Sequence, residues 1–280
     1  MTFNSYYHHK ERRRNMNNGK NILITGASRG IGAALATAFA REGYAFVGIN
    51  YRSDETGAQA VAEEVRAAGA SAELFQADVS DSVDCERMMN SFIRDTGRID
   101  VLINNAGGAQ DIPAGGFNEM PVEYWDRQIR LNLSSAAYCA RFAVEDMIDK
   151  DTKGRIINIS SVHSQVTWVK RKALPYCAGK AGMNMFTKAL GVEVAKYGIR
   201  VNGIAPGFIQ TKLTTRYTAE QIAAFQRKIP AGVLGQPSDI VPVALLLADE
   251  EKSRFIVGQT FVVDGGQSID GAIESMMYDF

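Results

Sequence analysis

Asn21-Ile-Leu-Ile-Thr-Gly-Ala-Ser-Arg-Gly-Ile-Gly-Ala33 sets a short apolar run directly before three glycines, Gly26, Gly30 and Gly32. The run reads as a buried strand, and a helix is expected to open at about Ile31. Glycine suits the link because the backbone must turn sharply and approach a ligand with no Cβ in the way. The helix N-terminus then offers unpaired N–H groups and a positive dipole end, which suits a pyrophosphate. The spacing G-x-x-x-G-x-G differs from G-x-G-x-x-G, and no Gly-Lys-Ser/Thr of an ATP loop follows. A dinucleotide at the first strand–helix crossover of a parallel sheet is the reading.

Outward from this loop, strand-like and helical stretches alternate. Ile22–Ile24, Ala45–Ile49, Val101–Ile103, Arg155–Ile159, Arg200–Val201 and Phe261–Val263 read as strands. Ala33–Arg41, Gly57–Ala68, Val83–Asp95 and Met183–Lys196 read as helices. Several strands lack polar alternation, as expected where helices cover both faces of a parallel sheet. The pattern predicts an α/β, Rossmann-type doubly wound parallel sheet forming a single domain over 20–280. No repeat or linker divides it. Residues 1–19 read as a flexible basic tail, within which Met16 is an alternative start.

Composition narrows the functional classes. Lys+Arg and Asp+Glu both number 31, so charge gives no argument for nucleic acid. Cys85, Cys139 and Cys177 lack metal-ligand spacing, which predicts no metal site, no disulfide framework and a reducing, cytoplasmic setting. No apolar run reaches the roughly 18 residues of a membrane span.

Tyr176-Cys-Ala-Gly-Lys180 supplies the chemistry. Tyr and Lys four apart on a helix are vertical neighbours. An ammonium favours phenolate, so the Tyr176 pKa is expected to fall from about 10, making it a proton donor to a carbonyl or an acceptor from an alcohol. The choice of dinucleotide is read at the end of the second strand, Gly48-Ile-Asn-Tyr-Arg-Ser53. An NAD site usually carries a carboxylate there for the ribose 2′-OH. None occurs before Asp54, whereas Arg52 and Arg29 could grip a 2′-phosphate. NADP(H) is therefore preferred and NAD(H) possible.

Taken in order, these residues resemble the short-chain dehydrogenase/reductase family over roughly Lys20 to Ser268. Thr25–Gly32, with Ser28 and Ile31 inside it, is similar to the family's cofactor loop, and Asp78-Val79 to the pair that contacts adenine. Asn104-Asn-Ala-Gly107, which includes Asn105 and Ala106, matches the strand-end motif. Asn132 matches the helix asparagine, Ser161 the strand serine, and Tyr176 and Lys180 the catalytic pair. Pro206, Gly207, Ile209 and Thr211 match the loop beside the nicotinamide, and Val263-Asp-Gly-Gly266 the closing strand. The resemblance implies that Ser161 and Tyr176 bind a carbonyl oxygen, that Tyr176 delivers the proton, and that Lys180 holds the ribose. Asn132 would anchor a water relaying protons to Lys180. It also implies a homotetramer with the helix from Tyr176 to about Lys196 at an interface, and a substrate lid near 212–228.

Three departures from the family pattern stand out. The position thirteen before the tyrosine is His163, so the strand register selects Ser161, with Ser164 the runner-up and Ser160 behind it. His163 itself reads as a loop hydrogen-bonder. Gly179 replaces a serine before the lysine, which frees space beside the cofactor. Lys170-Arg-Lys172 lies in the lengthened loop, either as a solvated basic surface or as a preference for anionic substrates. Trp168 either lines the mouth or packs. Within the family the chain looks most like glucose 1-dehydrogenase and related sugar or polyol enzymes, so a small polar sugar, polyol or oxo acid is the expected substrate. The 3-oxoacyl-(acyl-carrier-protein) reductases share almost the same scaffold and are the alternative. A non-catalytic dinucleotide sensor is the rival from another class.

Overall fold

The computed structural model describes residues 19–109, 112–113, 115–167, 173–211 and 217–269. Seven parallel strands form one sheet in the order β3-β2-β1-β4-β5-β6-β7. They are β1 (Asn21–Ile24), β2 (Phe46–Tyr51), β3 (Ser71–Gln76), β4 (Val101–Asn104), β5 (Arg155–Ile159), β6 (Arg200–Pro206) and β7 (Thr260–Val263). The helices are α1 (Gly30–Arg41), α2 (Glu55–Ala67), α3 (Ser82–Thr96), α4 (Val122–Ile129), α5 (Ser135–Asp149), α6 (Leu174–Val194), α7 (Ala219–Gln226) and α8 (Val241–Ala248).

Strand alternation sends successive side chains to opposite faces, and each face has its own core. Ile22 and Ile24 of β1 pack with Leu35 and Phe39 of α1, Val61 and Val65 of α2, and Leu247 of α8. Leu23, one residue away, packs on the other face with Phe92 of α3, Cys139 and Ala143 of α5, and Val194 of α6. β1, β2, β4 and β5 are buried along their whole length, which is why they read as continuous apolar runs. The single-domain doubly wound sheet is as expected, with one strand added.

That added strand is β3, at the sheet edge. Its sequence, Ser-Ala-Glu-Leu-Phe-Gln, buries only Ala72 and Phe75 fully, so it lacks the continuous apolar signal of the central strands. Residues 122–149 form a second stretch not anticipated from periodicity. There α4 runs through a π-turn, Arg130–Ser134, into α5. No helix among the described residues is long and apolar enough to cross a membrane.

The amino ends of the strands are stitched by buried polar side chains. Asp100 accepts from the Asn21 N–H at 2.7 Å, and Asp146, paired with Lys150, accepts from the Ile99 N–H at 2.9 Å. Arg155, buried at the start of β5, donates to the carbonyls of Lys153, Gly154, Gly198 and Glu250 and to the Ser253 hydroxyl. The carboxyl ends are left for the loops, and there the site lies.

Candidate active site

The glycine loop is held by its neighbours rather than by itself. Gly26 has φ +62°, and a Cβ there would lie 2.9 Å from the Ala106 Cα; conformation and close approach both demand glycine. Its N–H donates to Asn50 Oδ1 at 3.0 Å. The Thr25 hydroxyl accepts from the N–H groups of Asn105 and Ala106 at 2.9 and 3.0 Å. In return the Asn105 amide donates to the carbonyls of Thr25 and Gly26. The ends of β1, β2 and β4 are thus tied into one cradle. No side chain caps α1, so its first N–H groups remain for an anion. These features fit the pyrophosphate of a dinucleotide.

Asn50, to which the sequence assigns no role, pins the loop and donates to the carbonyls of Phe75 and Ala77 at 3.0 and 3.2 Å. A polar side chain closing an apolar strand is the signal that could have found it.

A cleft of about 380 Å³ runs from this cradle over the carboxyl ends of the strands. It is lined by every residue expected to bind the cofactor save one, and by Ser161. The exception is Gly32, which faces inward: a Cβ there would meet Asn105 Nδ2 and the Gly26 carbonyl, each at 2.6 Å. Its part is close helix–loop packing. At the far corner, Arg29 and Arg52 do not stand alone, because Asp54 and Asp78 lie 3.8 Å from them, respectively.

The reacting end gathers at the other side. Ser161, just past the end of β5, lines this end of the cleft together with Tyr176. The two rival serines are engaged elsewhere. Ser160 donates to the Lys180 carbonyl at 3.2 Å, and Ser164 donates to the Ser161 carbonyl at 2.7 Å. His163 is buried beside them, with Nδ1 3.2 Å from the Val166 carbonyl oxygen. Burial holds its pKa below the ordinary value.

Lys180 is buried, and its ammonium donates to the Ile159 carbonyl at 2.7 Å. Burial pulls its pKa down to about 7. The Tyr176 pKa is not lowered as expected: burial raises it, and the nearby Ser161 hydroxyl opposes that rise. The physical reason is desolvation of the phenolate, with the lysine engaged by a strand carbonyl.

Asn132, in the π-turn, is fully buried behind the cleft and does not line it. Its Oδ1 accepts from the Gly108 N–H at 2.9 Å, and its amide donates to the Gln128 carbonyl and Gln128 Oε1. A Cβ on Gly107 would sit 2.9 Å from Asn132 Oδ1 and 3.0 Å from Lys180 Nζ, so the three are packed together. Gly179 does not open space beside the cofactor, because a Cβ there would meet the Asn132 Cβ at 3.0 Å; the π-turn fills that room.

Trp168 and Lys170–Lys172 lie outside the described residues, as do residues 1–18 and the 212–216 part of the expected lid. The rest of that lid contains α7, tied to the loop after β6 by Phe208 and Phe225, stacked at 4.6 Å. Among the described residues no group of three His, Cys, Asp or Glu is placed to hold a metal.

Comparison with known proteins agrees with this geometry. Residues 26–268 match the family described as Enoyl-(Acyl carrier protein) reductase. The chain is 38% identical to 3beta-hydroxysteroid dehydrogenase 1 of Eggerthella lenta, over 90% of this chain and 94% of that protein. It is 40% identical to a 3-oxoacyl-[acyl-carrier-protein] reductase of Synechocystis, over 87% and 95% of the two chains. It is 35% identical to Glucose 1-dehydrogenase 2 of Bacillus subtilis, over 90% and 95%. The crystal structure of a short-chain type dehydrogenase/reductase from Mycobacterium marinum superposes with a TM-score of 0.82 at 33% identity, covering 89% of this chain and 96% of that one.

Proposed function

We propose that this chain, which belongs to the short-chain dehydrogenase/reductase family, prefers NADP(H), can use NAD(H), and acts on a small polar sugar, polyol or oxo acid. Interconversion of CH–OH and C=O with a nicotinamide dinucleotide follows from the family. The observation that carries the proposal is the gathering of Ser161, Tyr176 and buried Lys180 at one end of a cleft whose other wall is the glycine cradle.

The residues divide the work by position. The Gly26–Gly32 loop and the N-terminus of α1 would hold the pyrophosphate, with Asp78 and Val79 along the adenine. Asn105, Ala106, Gly107, Pro206, Gly207, Ile209 and Thr211 would line the path to the nicotinamide. The bound nicotinamide supplies or accepts the hydride. Ser161 donates a hydrogen bond to the substrate oxygen, and Tyr176 gives the proton in reduction and takes it in oxidation. Lys180 carries charge near neutral pH only while protonated, and holds the ribose. Asn132 fixes Gly108 and borders Lys180, the place from which it would steady a proton-relaying water.

Steady-state rates with NADPH and NADH across sugars, polyols, oxo acids and β-ketoacyl thioesters test this reading; turnover confined to the thioesters would transfer it to carrier-protein chemistry. That second reading is favoured by relatives named 3-oxoacyl-[acyl-carrier-protein] reductase, from Synechocystis and Staphylococcus aureus. A bare dinucleotide sensor is disfavoured because Ser161, Tyr176 and Lys180 are all present and assembled.

Arg52→Ala is expected to raise KM for NADPH about tenfold and to leave KM for NADH nearly unchanged, because the side chain serves only the 2′-phosphate. Equal effects would move the role to Arg29 or remove it. Asp54 and Asp78 temper both arginines, which supports preference rather than exclusivity.

We also propose a homotetramer. Met185 and Val192 of α6 are 63% and 74% exposed, a face that a partner subunit would cover. A monomeric mass in light scattering at micromolar concentration would refute it.

A further inference from the structure

Resting on the proposed reaction, we infer that Asn184 and Ser164 are positioning residues that lock the Ser161 loop onto α6. Ser161 caps a single 3-10 turn, Val162–Ser164, two residues after the end of β5. Two donor chains meet there. In one, Asn184 Nδ2 donates to Ser164 Oγ at 2.7 Å, and Ser164 Oγ donates to the Ser161 carbonyl at 2.7 Å. In the other, the His163 N–H donates to Ser161 Oγ at 3.1 Å, and Ser161 lines the cleft with Tyr176.

A hydroxyl has one proton and two lone pairs. With one lone pair taken by the His163 N–H, the Ser161 proton is left for Tyr176 and the substrate oxygen. The direction of that proton depends on where the 3-10 turn holds the Ser161 backbone. The Ser164 hydroxyl fixes it by adding a second bond to the Ser161 carbonyl, which already accepts from the Ser164 N–H at 2.9 Å. Asn184 in turn orients the Ser164 hydroxyl, since a hydroxyl that accepts from an amide directs its proton elsewhere.

Asn184 stands eight residues after Tyr176 on the same helix, so α6 carries both the phenol and the amide that holds the serine against it. Movement of α6 would carry the two together. The runner-up serine of the sequence reading is therefore the brace of the serine selected by the strand register. Among the described residues Asn184 Oδ1 is buried and accepts nothing. A buried carbonyl without a donor is unfavourable, so the amide contributes little to stability beyond the bond to Ser164.

Full-length Asn184→Ala and Ser164→Ala proteins, assayed with NADPH and the carbonyl that the wild type reduces fastest, decide the matter. Each is expected to lower kcat about tenfold, the scale of a small misplacement of a reacting group, with KM for NADPH and the melting temperature unchanged. Ser164→Thr, which keeps the hydroxyl, restores the rate. An unchanged kcat, or a loss that parallels a fall in melting temperature, overturns the inference. Crystal structures of the same variants give a readout that needs no substrate: Ser161 Oγ should leave hydrogen-bonding distance of the His163 nitrogen, 3.1 Å away in the wild type. A Ser161 hydroxyl that keeps its wild-type position overturns the brace whatever the kinetics. If the wild type reduces no carbonyl, the proposed function fails on its own and the crystal structures alone judge the brace.

Discussion

Tyr176→Phe is expected to lower kcat by at least about 10²-fold, the typical worth of a general acid, while cofactor affinity stays nearly intact. The ring is kept, so the half-buried site beside Ser161 remains filled. Only the hydroxyl is lost, and with it the proton that a nascent alkoxide needs. Ser161 would be no substitute: in the proposed role it hydrogen-bonds the substrate oxygen, but a serine hydroxyl is far too weak an acid to finish the transfer. Lys180 is separated from that role by its bond to the Ile159 carbonyl. Near-wild-type turnover, measured with NADPH and the preferred carbonyl, would remove Tyr176 from the chemistry.

Arg155→Leu is expected to destabilise the protein by about 3 kcal/mol, since each buried acceptor left without a donor costs about 1–3 kcal/mol and water can reach some of them. Four carbonyls and the Ser253 hydroxyl converge on this guanidinium. They come from the start of β5, the turn before β6 and the segment after α8, so one side chain holds three separate stretches. Burial already draws its pKa below the ordinary arginine value. Leucine would fill much of the volume and satisfy none of the acceptors. Urea unfolding with an unchanged m value provides the measurement, and a loss below about 1 kcal/mol would show that solvent replaces the donors. Arg155 opens β5, and Ser161 follows the other end of that strand, so turnover per folded molecule is expected to stay at the wild-type level.

The contrast between these two residues marks what the sequence discloses. Tyr176 is legible because its chemistry depends on a local spacing, and the same holds for Gly26, Gly30 and Lys180. Central strands are legible because burial on both faces leaves an unbroken apolar run. β3 escapes notice because an edge strand alternates and mixes Ser, Glu and Gln with its apolar residues. Gly32 fits its motif and Gly179 departs from its own, but what presses on them, Asn105 and Asn132, comes from other parts of the chain. The pKa of Tyr176 fails as a local inference for a related reason. Its helix neighbour Lys180 bonds to β5 instead, and desolvation by the surrounding fold prevails.

The glycine cradle has a consequence for how the protein is made. Its motif occupies a dozen residues near the start of the chain, yet Asn105 and Ala106, which grip Thr25, are synthesised 80 and 81 residues later. β1 gains its β4 neighbour at the same stage. A nascent chain that has emerged only as far as β3 therefore carries the whole recognisable signature with one wall of the cradle missing. A dinucleotide held by this cradle would find it complete only after β4 has joined. Until then β1 exposes an unpaired apolar edge, and the interval between its synthesis and that of β4 is when the chain depends most on protection from aggregation.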